Sequence, residues 1–150
     1  MMHAPTIWYI IMNTNRARIL RELPGPHDPL PAEITMQGRR RNMADIIADQ
    51  PTSSFASAGG GRRSSVEPGS DPVGEDERVF IGELQDFLTK EAAAMAYDQL
   101  VVIATPDAMG KWRAQASPDL KRHVKQEIIR NLVAFSAHEL VAAVRALVKL

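Results

Sequence analysis

The stretch that decides the fold is LVVIA, residues 100–104. Its continuous apolar character is typical of a strand that is buried on both faces. A segment with helical periodicity comes before it, and the polar segment TPDAMGKWRAQ, residues 105–115, follows directly. A buried strand that follows a helix is one half of an α/β unit. We therefore predict a mixed α/β layer fold for the chain.

The helix before this strand is marked by an apolar face and by a clear start. Its apolar residues recur at helical spacings of three, four and seven, and they are Val79, Phe80, Leu84, Phe87, Leu88 and Met95. Asp71 is placed to cap the helix, and Pro72 suits its first turn. The acids at positions 75–77 suit the positive end of the helix dipole. We interpret them as electrostatic caps rather than as paired catalytic carboxylates.

Strands are also predicted near the start of the chain. The apolar run IWYIIM, residues 7–12, favours a first strand, and the polar residues 13–15 favour a turn. The next apolar residues predict either the second strand of a hairpin or a short helix, because their spacing fits both structures. These residues are Ile19, Leu20 and Leu23. After a proline-rich segment, AEITMQ, residues 32–37, alternates apolar and polar residues, which predicts a third strand with one face in water.

The end of the chain contains one clear helix and one ambiguous segment. Ser136 and Glu139 form a capping-box pattern, which predicts a helix that continues to Val148. Residues 121–135 fit either a helix or a long strand, since their apolar positions satisfy both periods.

The composition fits a single domain that does no sulfur chemistry. With 150 residues and 45% hydrophobic content, residues 1–150 can bury one core. The absence of cysteine excludes disulfides, thiol nucleophiles and thiolate metal sites. No segment approaches the roughly 20 apolar residues that cross a bilayer. We therefore expect a soluble, cytoplasmic protein.

The formal net charge of zero conceals three charged blocks. Residues 38–66 carry a net charge of +3, residues 67–91 carry −6, and residues 111–150 carry +5. Blocks of this kind can give a neutral protein a basic face that fits a phosphate backbone. They are also compatible with alternating solvated surfaces that bind nothing.

The segment SFASAGGGRRSS, residues 54–65, lies in the region that is poorest in core residues. Residues 49–71 are rich in glycine, serine and proline, and Phe55 is their bulky apolar exception, so we predict an exposed loop. Gly59, Gly60 and Gly61 offer bare backbone amides. However, their spacing is that of neither a P-loop nor a dinucleotide-binding turn.

The remaining residues predict no catalytic, cofactor or metal site. The four histidines, at positions 3, 27, 123 and 138, lack paired metal-ligand spacing. The serines of the loop lack a nucleophile elbow. Trp8, Tyr9 and Trp112 are interpreted as core residues rather than as stacking platforms.

Several of these segments, in this order, resemble the bacterial host attachment protein family over nearly the whole chain. They are WYIIMNTNRARILREL, the loop with SFAS and GGGR, the dipeptides Glu67-Pro68 and Asp71-Pro72, and LVVIATP. That family in turn looks like the middle domain of archaeal and eukaryotic peptide-chain release factors. The resemblance implies a single α/β domain with a mixed sheet of about five strands flanked by helices, in an RNase H-like layer architecture. It also implies a strand at residues 124–133.

In release factors, a Gly-Gly-Gln loop enters the peptidyl-transferase centre. Here Gly61 and Arg62 follow Gly59 and Gly60, and the nearest glutamine is Gln50. We therefore expect a protein without enzymatic activity and without a cofactor. The hypothesis is that it binds the ribosome or another structured RNA through a glycine- and arginine-rich surface. That surface comprises Gly59, Gly60, Gly61, Arg62 and Arg63, together with Arg39, Arg40 and Arg41.

Two alternatives come from other functional classes. The first is a protein interaction module linked to host attachment, whose partner contacts the loop and the acidic face of residues 75–91. The second is a degenerate release factor domain with an activity like that of a peptidyl-tRNA hydrolase.

Overall fold

A computed structural model of the chain describes residues 4–39 and 71–148. In chain order, the described elements are β1 (Ile7–Met12), β2 (Arg16–Leu20), β3 (Ile34–Gln37), α1 (Pro72–Ala93), β4 (Gln99–Ala104), α2 (Pro106–Gln115), α3 (Pro118–His123), β5 (Val124–Ile129) and α4 (Ala137–Val148).

The five strands form one mixed sheet in the order β3-β2-β1-β4-β5. β1, β2 and β3 pair antiparallel, whereas β1, β4 and β5 pair parallel. The hairpin reading of β1 and β2 is therefore confirmed over the helical alternative. The mixed α/β fold with a five-stranded sheet is confirmed as well.

Two hydrophobic layers cover the two faces of the sheet. Alternate residues of β1 supply both layers, because successive side chains of a strand point to opposite faces. Trp8 and Ile10 pack with α1, α2 and α3, while Tyr9 and Ile11 pack with α4. All five residues of the segment LVVIA are buried, as predicted for a strand covered on both faces.

The ambiguous segment 121–135 divides into several parts. α3 ends at His123, and β5 then pairs with β4 in parallel, with a register irregularity opposite Leu100 and Val101. The strand implied by the family resemblance is thus confirmed, although it ends at Ile129. Leu132 is buried in the connection that follows, outside the strand.

Both predicted helix starts are confirmed by their hydrogen bonds. The Asp71 carboxylate accepts a bond of 3.0 Å from the Gly74 amide at the start of α1. At α4, the Glu139 amide donates to Ser136 Oγ at 3.3 Å, and the Ser136 amide donates to Glu139 Oε1 at 3.1 Å. This reciprocal pair is the predicted capping box.

The predicted apolar face of α1 is wrong at two positions. Met95 lies beyond the end of the helix at Ala93, with φ of 64°, and its side chain is 86% exposed. A residue with positive φ just after a helix turns the chain away from the helical path, which carries the side chain off the buried face. Val79 is 49% exposed, while its neighbours Phe80 and Ile81 are buried. The third strand is confirmed, but Ala32 lies before its start.

A buried arginine of β2 binds both the segment before β3 and the connection between β5 and α4. Arg18 of β2 is 5% exposed and forms two hydrogen bonds of 2.7 Å to the carboxylate of Glu33. Its Nη1 also donates to the carbonyls of Val133 and Phe135, at 2.9 and 2.6 Å. The hydrogen bond from Arg18 and the charge of its guanidinium hold the pKa of Glu33 below its usual value, against the opposing effect of burial. Arg18 therefore fixes the connection between β5 and α4.

Candidate functional site

Three described connections lie at one end of the sheet, which we call the carboxyl edge, and a fourth begins there after β3. β1, β4 and β5 all end there, because Met12, Ala104 and Ile129 are neighbours in the parallel register. β2 begins and β3 ends at the same place, since Arg16 pairs with Gln37. In α/β sheets, the end at which the parallel strands finish is the usual place for binding sites.

Helix α2 also begins at the carboxyl edge. The amide of Thr105 donates to the carbonyl of Met12 at 3.3 Å, which holds the helix start against the end of β1. The Thr105 hydroxyl accepts a long hydrogen bond of 3.4 Å from the amide of Ala108. The positive end of the α2 dipole therefore faces the same edge.

Helix α1 begins beside α2. The Nζ atom of Lys111 in α2 lies 3.1 Å from Asp107 Oδ1 and 3.4 Å from Glu77 Oε1 of α1. Hydrogen bonding and charge from Asp107, with a further contribution from Glu77, raise the pKa of Lys111 against the opposing effect of burial. Lys111 is thus a positively charged bridge between two helices, and its charge is already paired.

Gly38 anchors the chain at the end of β3. Its amide donates to the carbonyl of Asn15 at 2.7 Å. A Cβ atom at this position would lie 3.0 Å from Cβ and Cγ of Phe80, so the close approach of the chain after β3 to α1 favours glycine. Arg39 follows and is exposed. Because the chain is continuous, residues 40–70 connect Arg39 to Asp71, the cap of α1.

Three arginines of the carboxyl edge are exposed. Arg16 begins β2, Arg39 follows β3, and Arg130 follows β5. Within residues 4–39 and 71–148, none of the three forms an ion pair. Guanidinium groups in this state offer planar sets of donors to phosphate or carboxylate oxygens.

The residues proposed from sequence fall into two groups. Arg39 is placed at the carboxyl edge. The other seven lie outside the described residues, as does the predicted loop up to residue 70, and they are Gly59, Gly60, Gly61, Arg62, Arg63, Arg40 and Arg41. Arg16 and Arg130 were missed by sequence reasoning. The signal that could have identified Arg16 is its position next to a predicted turn. Arg130 lies inside the strand 124–133 implied by the family resemblance, so its place after β5 follows only from the observed end of that strand at Ile129.

Among the histidines, His123 has structural contacts in the described part of the chain. His123 packs edge-on against Tyr97, with ring centroids 5.5 Å apart, and its Nδ1 lies 2.9 Å from the carbonyl of Asp98. Burial, with the nearby charges of Asp119 and Glu91, raises the pKa of Tyr97 to about 12. In residues 4–39 and 71–148, no group of three or more histidine, aspartate or glutamate side chains could hold a metal ion.

Fold and site together define a class of protein: an α/β domain whose mixed sheet presents exposed arginines and a long connection at its carboxyl edge. The family described as "Protein required for attachment to host cells" matches residues 8–144. The chain therefore belongs to this host attachment family, as its sequence pattern predicted. None of the curated proteins compared with the chain matches it. Among the described helices, none combines the length and apolar character needed to cross a membrane.

The comparison with release factors stays a prediction, and so does the RNase H-like description of the layers. The family match supports the host attachment part of the resemblance alone.

Proposed function

We propose that the protein is a non-catalytic binding module of the cytoplasm that contacts structured RNA, ribosomal RNA in particular. The binding surface comprises the carboxyl edge and residues 40–70. The observation that carries the proposal is the position of Arg16, Arg39 and Arg130 at the edge where the segment with four further arginines is attached. Three exposed arginines at this edge, and four more in the segment that joins the fold there, favour the binding of phosphate groups.

The acids at the starts of α1 and α2 form ion pairs with basic side chains, which supports the proposal of RNA binding at this edge. The carboxylates of Asp107 and Glu77 face Lys111, and Glu75 Oε1 lies 2.9 Å from Arg78 Nη2. Their negative charge is thereby partly balanced within the helices, so it opposes a phosphate backbone less than free carboxylates would. The exposed arginines keep their charge for a ligand.

Binding of a labelled structured ribosomal RNA fragment, measured by fluorescence anisotropy over a salt series, tests the proposal. The test variant is Arg62→Glu with Arg63→Glu. The matched control is Lys121→Glu with Lys125→Glu, which makes the same change in net charge on β5 and α3. We expect the test variant to bind at least about tenfold more weakly, with a salt dependence reduced by about two phosphate contacts.

The control variant should bind RNA like the wild type. Equal RNA affinity of the wild type and the Arg62/Arg63 variant would contradict the proposal. So would equal loss in both variants, because that result indicates a response to net charge alone.

The two alternatives predict different results. A protein partner on the acidic outer face of α1 would give complexes that survive nuclease treatment, whereas an RNA complex dissolves. A residual hydrolase would release peptide from peptidyl-tRNA, and we expect the folded protein to release none.

A further inference from the structure

A groove of about 510 Å³ lies beside the first half of β5, away from the carboxyl edge. We call it the β5 groove, and its lining includes Trp112, Arg113, Lys121, Val124, Lys125 and Glu127. β5 is the outermost strand on this side, and within the described chain no strand pairs with its free edge. An outer strand presents unpaired backbone amides and carbonyls that can receive an extended peptide.

The β5 groove carries excess positive charge. Arg113 donates to Glu127 at 2.8 Å, so the carboxylate of the lining is already neutralised. Lys121 and Lys125 are exposed and form no ion pair with another described residue. Two ammonium groups therefore flank an open strand edge, which favours an anionic occupant.

The same lysines decide which strands can pair with this edge. Lysine on an outer strand disfavours pairing with neutral or basic strands, and β5 has Lys125 next to Val124. A second copy paired through β5 would bring the lysines of both copies to one seam, where like charges repel. An acidic strand instead gains ion pairs from these residues.

We propose that the β5 groove binds an extended acidic segment of a partner protein as an added strand next to β5. The free edge supplies the backbone hydrogen bonds, and Lys121 and Lys125 select glutamate or aspartate side chains. The backbone edge favours a peptide over a nucleic acid, since a phosphodiester chain has no regular row of amide donors to match it. This inference is independent of the proposed RNA binding, because it involves a different surface.

The probe for this inference is a short synthetic peptide in which glutamate alternates with valine, titrated into the full chain. We expect saturable binding, together with slower hydrogen exchange of the β5 backbone amides. The Lys121→Glu, Lys125→Glu variant should bind the peptide at least about tenfold more weakly. The Arg62→Glu, Arg63→Glu variant should bind it like the wild type.

Several results would overturn the inference. One is equal affinity for a peptide with glutamine in place of glutamate. A second is peptide binding that leaves hydrogen exchange of the β5 amides unchanged. A third is slower exchange that depends on protein concentration alone, which indicates that two copies of the chain pair through β5. Displacement of the peptide by RNA from the β5 groove would likewise assign this surface to nucleic acid. Unchanged far-UV circular dichroism of the variants ensures that a lost fold is not mistaken for a lost contact.

Discussion

At the scale of single residues, Arg18 and Glu33 form the best-buried ion pair in the described part of the chain. Their side chains are 7% and 16% exposed, and the contact is 2.7 Å. Arg18 also satisfies the carbonyls of Val133 and Phe135, so the pair is part of a hydrogen-bonded network. Breaking a buried pair costs more than breaking an exposed one, because the remaining charge loses its partner without regaining water.

We therefore expect Glu33→Gln to lower the free energy of unfolding at neutral pH by about 1–3 kcal/mol. The folded pKa of Glu33 lies below its usual 4.5. Its stabilisation is consequently complete above the unfolded pKa and is lost as the pH falls through the folded pKa. Urea denaturation at several pH values should show a constant difference between wild type and variant at neutral pH, which narrows in acid.

The control for this measurement is Asp119→Asn. Asp119 pairs with Arg122 at 2.6 Å, but both side chains are more than half exposed. Its loss should change the free energy of unfolding by less than about 1 kcal/mol. A difference for Glu33→Gln that is no larger, or that stays constant through acid pH, would contradict the stabilising role of the pair.

Residue-scale patterns also decide which parts of the proposed site the sequence can indicate. Arg62 and Arg63 beside three glycines predict a basic segment, and this prediction lies outside the described residues. Arg16 and Arg130 are separated by most of the chain, and no local pattern links them. The strand order brings them to one edge, and this order depends on pairing between distant segments.

At the scale of elements, the start of α1 contains a glycine whose side-chain space is occupied. A Cβ atom at Gly74 would collide with the Asp71 carboxylate that caps the helix. Gly110 in α2, in contrast, has no atom within 4 Å of an added Cβ. The same substitution should therefore have opposite effects in the two helices.

We expect Gly74→Ala to destabilise the protein by about 0.5–2 kcal/mol, since the cap must move and its hydrogen bond weakens. Gly110→Ala should stabilise the protein by about 0.5–1 kcal/mol, because alanine loses less backbone entropy in a helix. Thermal and urea unfolding of the two variants measures both effects. Stabilisation by Gly74→Ala would show that the cap does not restrict position 74, and destabilisation by Gly110→Ala would contradict the expectation for that position.

The elements differ in how well the sequence predicts them. Buried β4 and the capped helices α1 and α4 carry strong local signals, so they are predicted correctly. The apolar positions of the segment 121–135 fit the periods of both a helix and a strand. Val124–Ile129 forms a strand because it pairs with the side of β4 that β1 leaves open. Val79 and Met95 match the helical period, but one lies on an open part of α1 and the other lies beyond its end.

At the scale of the whole molecule, the two proposed binding surfaces are both basic and lie at different places on the fold. The carboxyl edge carries Arg16, Arg39 and Arg130 with the attached segment 40–70, and the β5 groove carries Lys121 and Lys125. The charge blocks of the sequence predict basic surfaces. The charge blocks do not indicate two separate surfaces. The fold decides which basic residues lie together, and it places Arg130 and Lys125 of one block at different surfaces.

Co-sedimentation with ribosomes over a salt series tests whether the protein binds RNA through the carboxyl edge and residues 40–70. We expect the wild type and the Lys121→Glu, Lys125→Glu variant to pellet with ribosomes at low salt and to be released as salt rises. The Arg62→Glu, Arg63→Glu variant should stay in the supernatant. A wild-type protein that stays in the supernatant even at low salt, or an Arg62/Arg63 variant that pellets like the wild type, would contradict RNA binding at this surface.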